Sequence, residues 1–97
     1  MSSPVVLINV FEVPVGTENA FVEWWKHCSE ALKQEPGFID ARLHRNLKTA
    51  AHFQFINVAH WETGELLDIA RSRNQEILQS IPAGKGYPML CEVAVQY

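Results

Sequence analysis

Asn57 and Trp61 stand four residues apart in a segment, His52 to Trp61, whose composition and alternation read as a β-strand. Successive side chains of a strand point to opposite faces, so residues four apart share one. Asn57 therefore offers an amide, and Trp61 an indole N–H, to the same spot. Such groups can hold the oxygen of a small molecule or stabilise negative charge developing on it. A third polar group, Asn9, sits between Leu7 and Phe11 in the strand pattern Val5 to Val13. Burying an unpaired amide costs about 1–3 kcal/mol, so each asparagine needs a side chain, a water or a ligand as partner. Two readings stay open at this point. The asparagines can bond to backbone at strand irregularities with Trp61 as plain core, or the set can outline a small apolar pocket with a few polar groups. In the pocket reading Phe21, Trp24 and Trp25 form an aromatic wall from a helix, and Phe11 and Phe55 face it from the strands.

Other constellations carry less chemistry. His44, His52 and His60 are strand residues, but His52 and His60 lie about 25 Å apart along one strand and cannot share an ion within a subunit. No metal is expected. Cys28 adjoins His27, but adjacent helix positions do not face each other, so no Cys–His nucleophile forms there. Gly84-Lys85-Gly86 is too short for a phosphate loop and precedes a strand rather than a helix. Cys28 and Cys91 fall outside any CxxC spacing and read as free thiols of a cytoplasmic protein.

The elements that must position these residues follow from periodicity. Val5 to Val13 is β-branched, apolar on both faces, and stops at Pro14 and Gly16. Thr17 is placed to cap a helix whose Phe21, Trp24, Trp25, Cys28, Ala31 and Leu32 form one apolar stripe, with Lys26, Glu30 and Lys33 wet. Pro36-Gly37 suits a type II turn. In Phe38 to Asn46, Ile39, Ala41 and Leu43 fall on one face and Asp40, Arg42 and His44 on the other. A polar link, Leu47 to Ala51, leads to the strand His52 to Trp61. Thr63 can cap a second helix bearing Leu66, Leu67, Ile69 and Ala70 and continuing through Ile81. Residues 82–86 form a loop, and Met89 to Val95 the last strand.

The order is β-α-β-β-α-β in a single domain spanning residues 1–97, with no linker or low-complexity tract. Right-handed crossovers set strands 1 and 3 side by side at the sheet centre, read as parallel neighbours, with both helices on one face. Leu7, Asn9, Phe11, Phe53, Phe55, Asn57, Ala59 and Trp61 then point toward the helices. Val6, Ile8, Val10, Ile56 and Val58 are left on the other face, and a second copy packed two-fold against it would bury them. A homodimer is therefore expected. The net charge of −3, pI near 5.7 and scattered Lys and Arg argue against a nucleic-acid partner. No run approaches a membrane span, and Met1-Ser2-Ser3-Pro4 carries no basic leader.

The chain resembles the antibiotic biosynthesis monooxygenase family over nearly its whole length. The matching runs are Val6 to Val13, Pro36-Gly37-Phe38-Ile39 with Ala41-Arg42-Leu43-His44, and Asn57-Val58-Ala59-His60-Trp61-Glu62-Thr63, the last being the most specific. The resemblance implies a ferredoxin-like α+β fold, an antiparallel four-stranded sheet with two helices on one face, assembled as a dimeric α+β barrel. It implies a monooxygenase acting on a small phenolic or quinone-like aromatic with O₂ and without a cofactor. Asn57 and Trp61 would contact the substrate, supported by Asn9 and, from the second helix, Arg71. The polyketide oxygenases of the family also use a tyrosine and an arginine, at whose nearest spacings this chain has Leu67 and Ile81. The haem-degrading branch uses a strand-1 asparagine, a tryptophan ending strand 3 and a helix histidine. Asn9 and Trp61 match the first two, while Arg71 stands near the place of the histidine. The alternatives are a haem-degrading monooxygenase and a non-catalytic dimer that binds haem or another small ligand.

Overall fold

In the computed structural model, which describes residues 4–48 and 50–97, the chain forms four strands and three helices. The leader reading at Met1–Ser3 and Thr49 of the polar link lie outside the described residues. Strand β1 covers Val5–Glu12, β2 Phe38–Arg45, β3 Phe55–Trp61 and β4 Lys85–Cys91; helix α1 covers Glu18–Leu32, α2 Gly64–Arg73 and α3 Gln75–Gln79. The strands lie in the order β2-β3-β1-β4, and every neighbouring pair is antiparallel.

The antiparallel pairing of β1 and β3 corrects the parallel reading. The α1 crossover returns β2 in the direction of β1, and the short link to β3 reverses it. Facing is set by alternation rather than direction, so the helix-side residues survive the correction. Leu7 lies opposite Ala59, Asn9 opposite Asn57, and Phe11 opposite Phe55. In β2 a bulge between Phe38 and Asp40 makes Ile39 the extra residue; Phe38 pairs with Trp61, and Ile39 is 45% exposed instead of facing the helices.

Helix α1 buries Phe21 and Cys28 on its stripe, with Lys26, Glu30 and Lys33 exposed. Leu32, Trp24 and Trp25 are half-buried. Thr17 does not cap it: its hydroxyl donates to the Pro14 carbonyl at 2.7 Å, and the Glu18 carboxylate accepts from the Gly16 N–H at 2.6 Å. Gly37 has φ +92°, as position i+2 of a type II turn requires, and a Cβ there would meet the Leu66 side chain at 2.7 Å. Thr63 caps α2 as expected, its Oγ1 accepting from the Leu66 N–H at 3.1 Å. The second helix does not run on unbroken. Asn74 leaves helical geometry, with φ −112° and ψ 21°, and its side chain donates to the Ala70 carbonyl at 2.8 Å, so α3 is a separate five-residue piece.

Two strand boundaries move. β3 begins at Phe55, because Gln54 turns its side-chain oxygen to the Val13 N–H at 2.8 Å, and Phe53 lies against Tyr87 rather than in the helix layer. β4 begins at Lys85 and ends at Cys91 instead of running from Met89 to Val95. Gly84, with φ +94°, tucks so close to the Glu12 carbonyl that a Cβ would sit 2.2 Å from it, and pairing starts at once with Glu12 opposite Lys85. At the far end Cys91 meets Val6, one residue from the end of β1, so Val93 and Val95 find no partner strand and are 64% and 72% exposed. Pro88 is accommodated because β4 is an edge strand.

Two apolar clusters fill the helix–sheet layer. One holds Phe11, Val13, Phe21 and Phe55; the other holds Ala59, Trp61, Leu67 and Ala70. The opposite sheet face carries Val6, Ile8, Val10, Ile56 and Val58, all half-buried, with Met89 and Tyr87 beside Ile8 and Val10.

Candidate active site

Between the two clusters the layer is open. A cavity of about 240 Å³ lies over the row where Asn9 faces Asn57, bounded by the sheet, α1, α2 and Leu78 of α3. The Oδ1 atoms of both asparagines are buried and have no hydrogen-bond partner among the described residues. Two amides side by side, each short of a partner and each lining the same space, are arranged to meet polar atoms of a guest.

The remaining walls are mostly apolar. Trp61 is 1% exposed, closes the row next to Ala59, and meets Phe38 edge-on with ring centroids 5.4 Å apart. Trp24, Trp25 and Phe11 line the cavity as expected. The Trp24 indole N–H is already taken by the Ile77 carbonyl at 3.0 Å, which ties α1 to α3 across the top. Phe21 and Phe55, expected as pocket walls, are not. Their rings stack on each other at 4.9 Å, Phe11 meets Phe21 edge-on at 4.8 Å, and the trio is solid core below the cavity end. Arg71 lines the cavity from α2.

Three lining features were not anticipated. Cys28 reaches the cavity from the buried stripe of α1, and burial pushes its thiol up to about 11, so it is neutral at physiological pH. Gly86 lies opposite Phe11, and a Cβ there would come within 2.7 Å of the Phe11 ring and 3.0 Å of Asn9 Oδ1. Leu67 and Ile81, standing where the polyketide oxygenases use tyrosine and arginine, add apolar wall instead. The Cys28 placement was available from helix periodicity; the Gly86 contact depends on the β4 register, which alternation alone misplaced. His52 and His60 line no part of the cavity and are paired with Glu12 at 2.9 Å and Asp40 at 2.6 Å.

The profile of antibiotic biosynthesis monooxygenase domains matches residues 4–77. The chain belongs to the antibiotic biosynthesis monooxygenase family. Among solved structures it is similar to a candidate monooxygenase from Shewanella loihica PV-4, 32% identical with a TM-score of 0.90 over 99% of each chain. It is also 36% identical over 62 residues to a mycobilin-producing haem oxygenase of Mycobacterium tuberculosis. That match covers 64% of this chain and 57% of the relative, so the chain spans little more than half of that protein's length. SnoaB, a cofactor-independent oxygenase from Streptomyces nogalater, is 17% identical with a TM-score of 0.78, covering 98% of this chain and 97% of its own, which is a likeness of fold. No helix among the described residues of this family member is long and apolar enough to cross a membrane.

Proposed function

We propose that this protein is a cofactor-independent monooxygenase that oxidises a small hydroxy-aromatic with O₂ inside the cavity. The observation that carries the reading is the facing pair Asn9 and Asn57, whose buried Oδ1 atoms lack partners and which line an otherwise apolar cavity together with Trp61. A phenolate is electron-rich enough to give electrons to O₂ itself. For a naphthol, carbon–oxygen bond formation opposite the phenolic oxygen followed by loss of water gives the quinone: one atom of O₂ enters the ring and the other leaves as water. The protein's part is to exclude bulk water and to place amide and indole donors where the oxygen carries negative charge. At about 240 Å³ the cavity is below the roughly 300–1,000 Å³ of drug-sized sites and suits one or two fused rings.

Haem fits this donor set poorly. Among the described residues no histidine, tyrosine or methionine lines the cavity, and the Cys28 thiol, held protonated by burial, is a poor iron ligand. Arg71, near the place of the haem degraders' histidine, offers only donors.

The test is O₂ uptake with 1-naphthol by protein freed of metal, flavin and haem. Asn57→Ala and Trp61→Phe should each lower turnover about 10²–10³-fold, the worth of one preorganised donor, with the fold unchanged. Unchanged turnover in both variants refutes the roles of these residues, and activity that needs added haem refutes the mechanism. The same reading includes a homodimer through Ile8, Val10, Ile56 and Val58. Light scattering should give twice the chain mass of 11.0 kDa, and Ile8→Asp should abolish it, since an unpaired carboxylate at that face is costly. A mass of 11.0 kDa at micromolar concentration would remove the dimer.

A further inference from the structure

Among the described residues nineteen line the cavity, and Arg71 is the single charged one. Its place follows from helix geometry: Leu67, one turn earlier on α2, is 2% exposed against the Trp61 cluster, and a residue four further on shares that face. Arg71 itself is exposed, so it borders the cavity where the cavity meets solvent, while the asparagine pair lies on the sheet that floors it. It also borders the shallow groove outside, with Asp68, Ser72, Gln75 and Gln79. Among the described residues Arg71 has no ion pair: Asp68, three residues before it, is not within bonding reach, whereas the neighbouring Arg73 is joined to Glu35 at 3.4 Å. A permanently charged fork thus borders the opening of an apolar space without an ion-pair partner among the described residues.

Resting on the reading of the cavity as an oxygenase site, we infer that the substrate is an aromatic anion, carrying a carboxylate that Arg71 holds at the mouth while its phenolic oxygen meets Asn9 and Asn57. An apolar wall alone selects poorly between ring systems of similar size. A guanidinium–carboxylate contact is directional and charge-assisted, and it fixes which end of the molecule enters first.

Calorimetric titration with 5-hydroxy-1-naphthoate, whose hydroxyl and carboxylate lie on different rings, and with its neutral carboxamide tests this apart from catalysis. The protein should bind the carboxylate about tenfold more tightly at low salt, and the preference should shrink as salt is added. Arg71→Gln should erase the preference while leaving carboxamide affinity unchanged, and Arg71→Lys should keep part of it. Equal affinity for the two ligands, or a preference that survives in Arg71→Gln, overturns the inference even if 1-naphthol is still oxidised. An Arg71-dependent preference with no oxidation of any naphthol supports the inference and removes the oxygenase reading instead. Failure of both ligands to bind overturns the two together.

Discussion

Two stretches of the same helix–sheet layer, only one row apart, are treated oppositely. Where Phe11 faces Phe55, the rings of Phe11, Phe21 and Phe55 interlock at 4.8 and 4.9 Å as packed core. Where Asn9 faces Asn57, the same two strands support an open cavity and two amides without partners. Backbone, register and covering helix are shared, so the difference lies in the side chains alone. A phenylalanine row is covered by α1 and becomes core. An asparagine row cannot be closed over at low cost, because an apolar lid would leave the amide N–H groups without partners, as the buried Oδ1 atoms already are. The molecule keeps its stability in one row and its chemistry in the next.

Substitutions that exchange the character of the rows should break this contrast. Phe21→Ala, which empties the solid end, should cost about 3–5 kcal/mol in denaturant unfolding, the largest effect expected. Gly86→Ala touches both rows, since its new methyl would press on Phe11 and Asn9; overpacking of this kind should cost about 2 kcal/mol and also disturb ligand binding. Asn57→Leu runs the other way. Replacing an unpartnered amide by an apolar group of similar size should raise stability by about 1 kcal/mol while abolishing turnover. A loss of stability there would mean the amide is satisfied in solution and that the rows differ less than they look.

The last effect is invisible at neutral pH. Burial raises the Cys28 thiol to about 11, so the folded state keeps the proton after the unfolded chain has lost it. The linked stability is fully present below the unfolded value near 9 and is lost as pH climbs from there to about 11. Chemical unfolding at intervals across that window should show the decline, and Cys28→Ala should flatten it. Alkylation of Cys28 at pH 8 should be slow relative to Cys91, which is half-buried.

The strand–helix order and the inward faces of β1 and β3 were readable because alternation survives even when strand direction is misjudged. Asn9, Asn57, Trp61, Trp24, Trp25, Phe11 and Arg71 were all brought to one cavity. Phe21 and Phe55 share that facing, yet facing cannot tell a packed ring from a pocket wall; only the distance to the next ring does. Ile39 was misread because a bulge adds one residue to an unbroken alternation, and Val93 and Val95 because an apolar pattern does not reveal where the partner strand ends. At the break the Ala70 carbonyl accepts from both the backbone and the side chain of Asn74, a local arrangement that periodicity does not register.

All three tryptophans of the chain, Trp24, Trp25 and Trp61, border the one cavity. Excited at wavelengths that tyrosine does not absorb, the protein therefore emits from the walls of that space, and the colour and intensity are an optical gauge of what fills it. A guest that displaces water from the asparagine row changes the surroundings of every emitter at once. Parting of α1 from α3 would release the Trp24 N–H from the Ile77 carbonyl and give that ring a redder, wetter signal of its own. Occupancy and opening can thus be followed in the native chain, without a label, on the timescale of mixing.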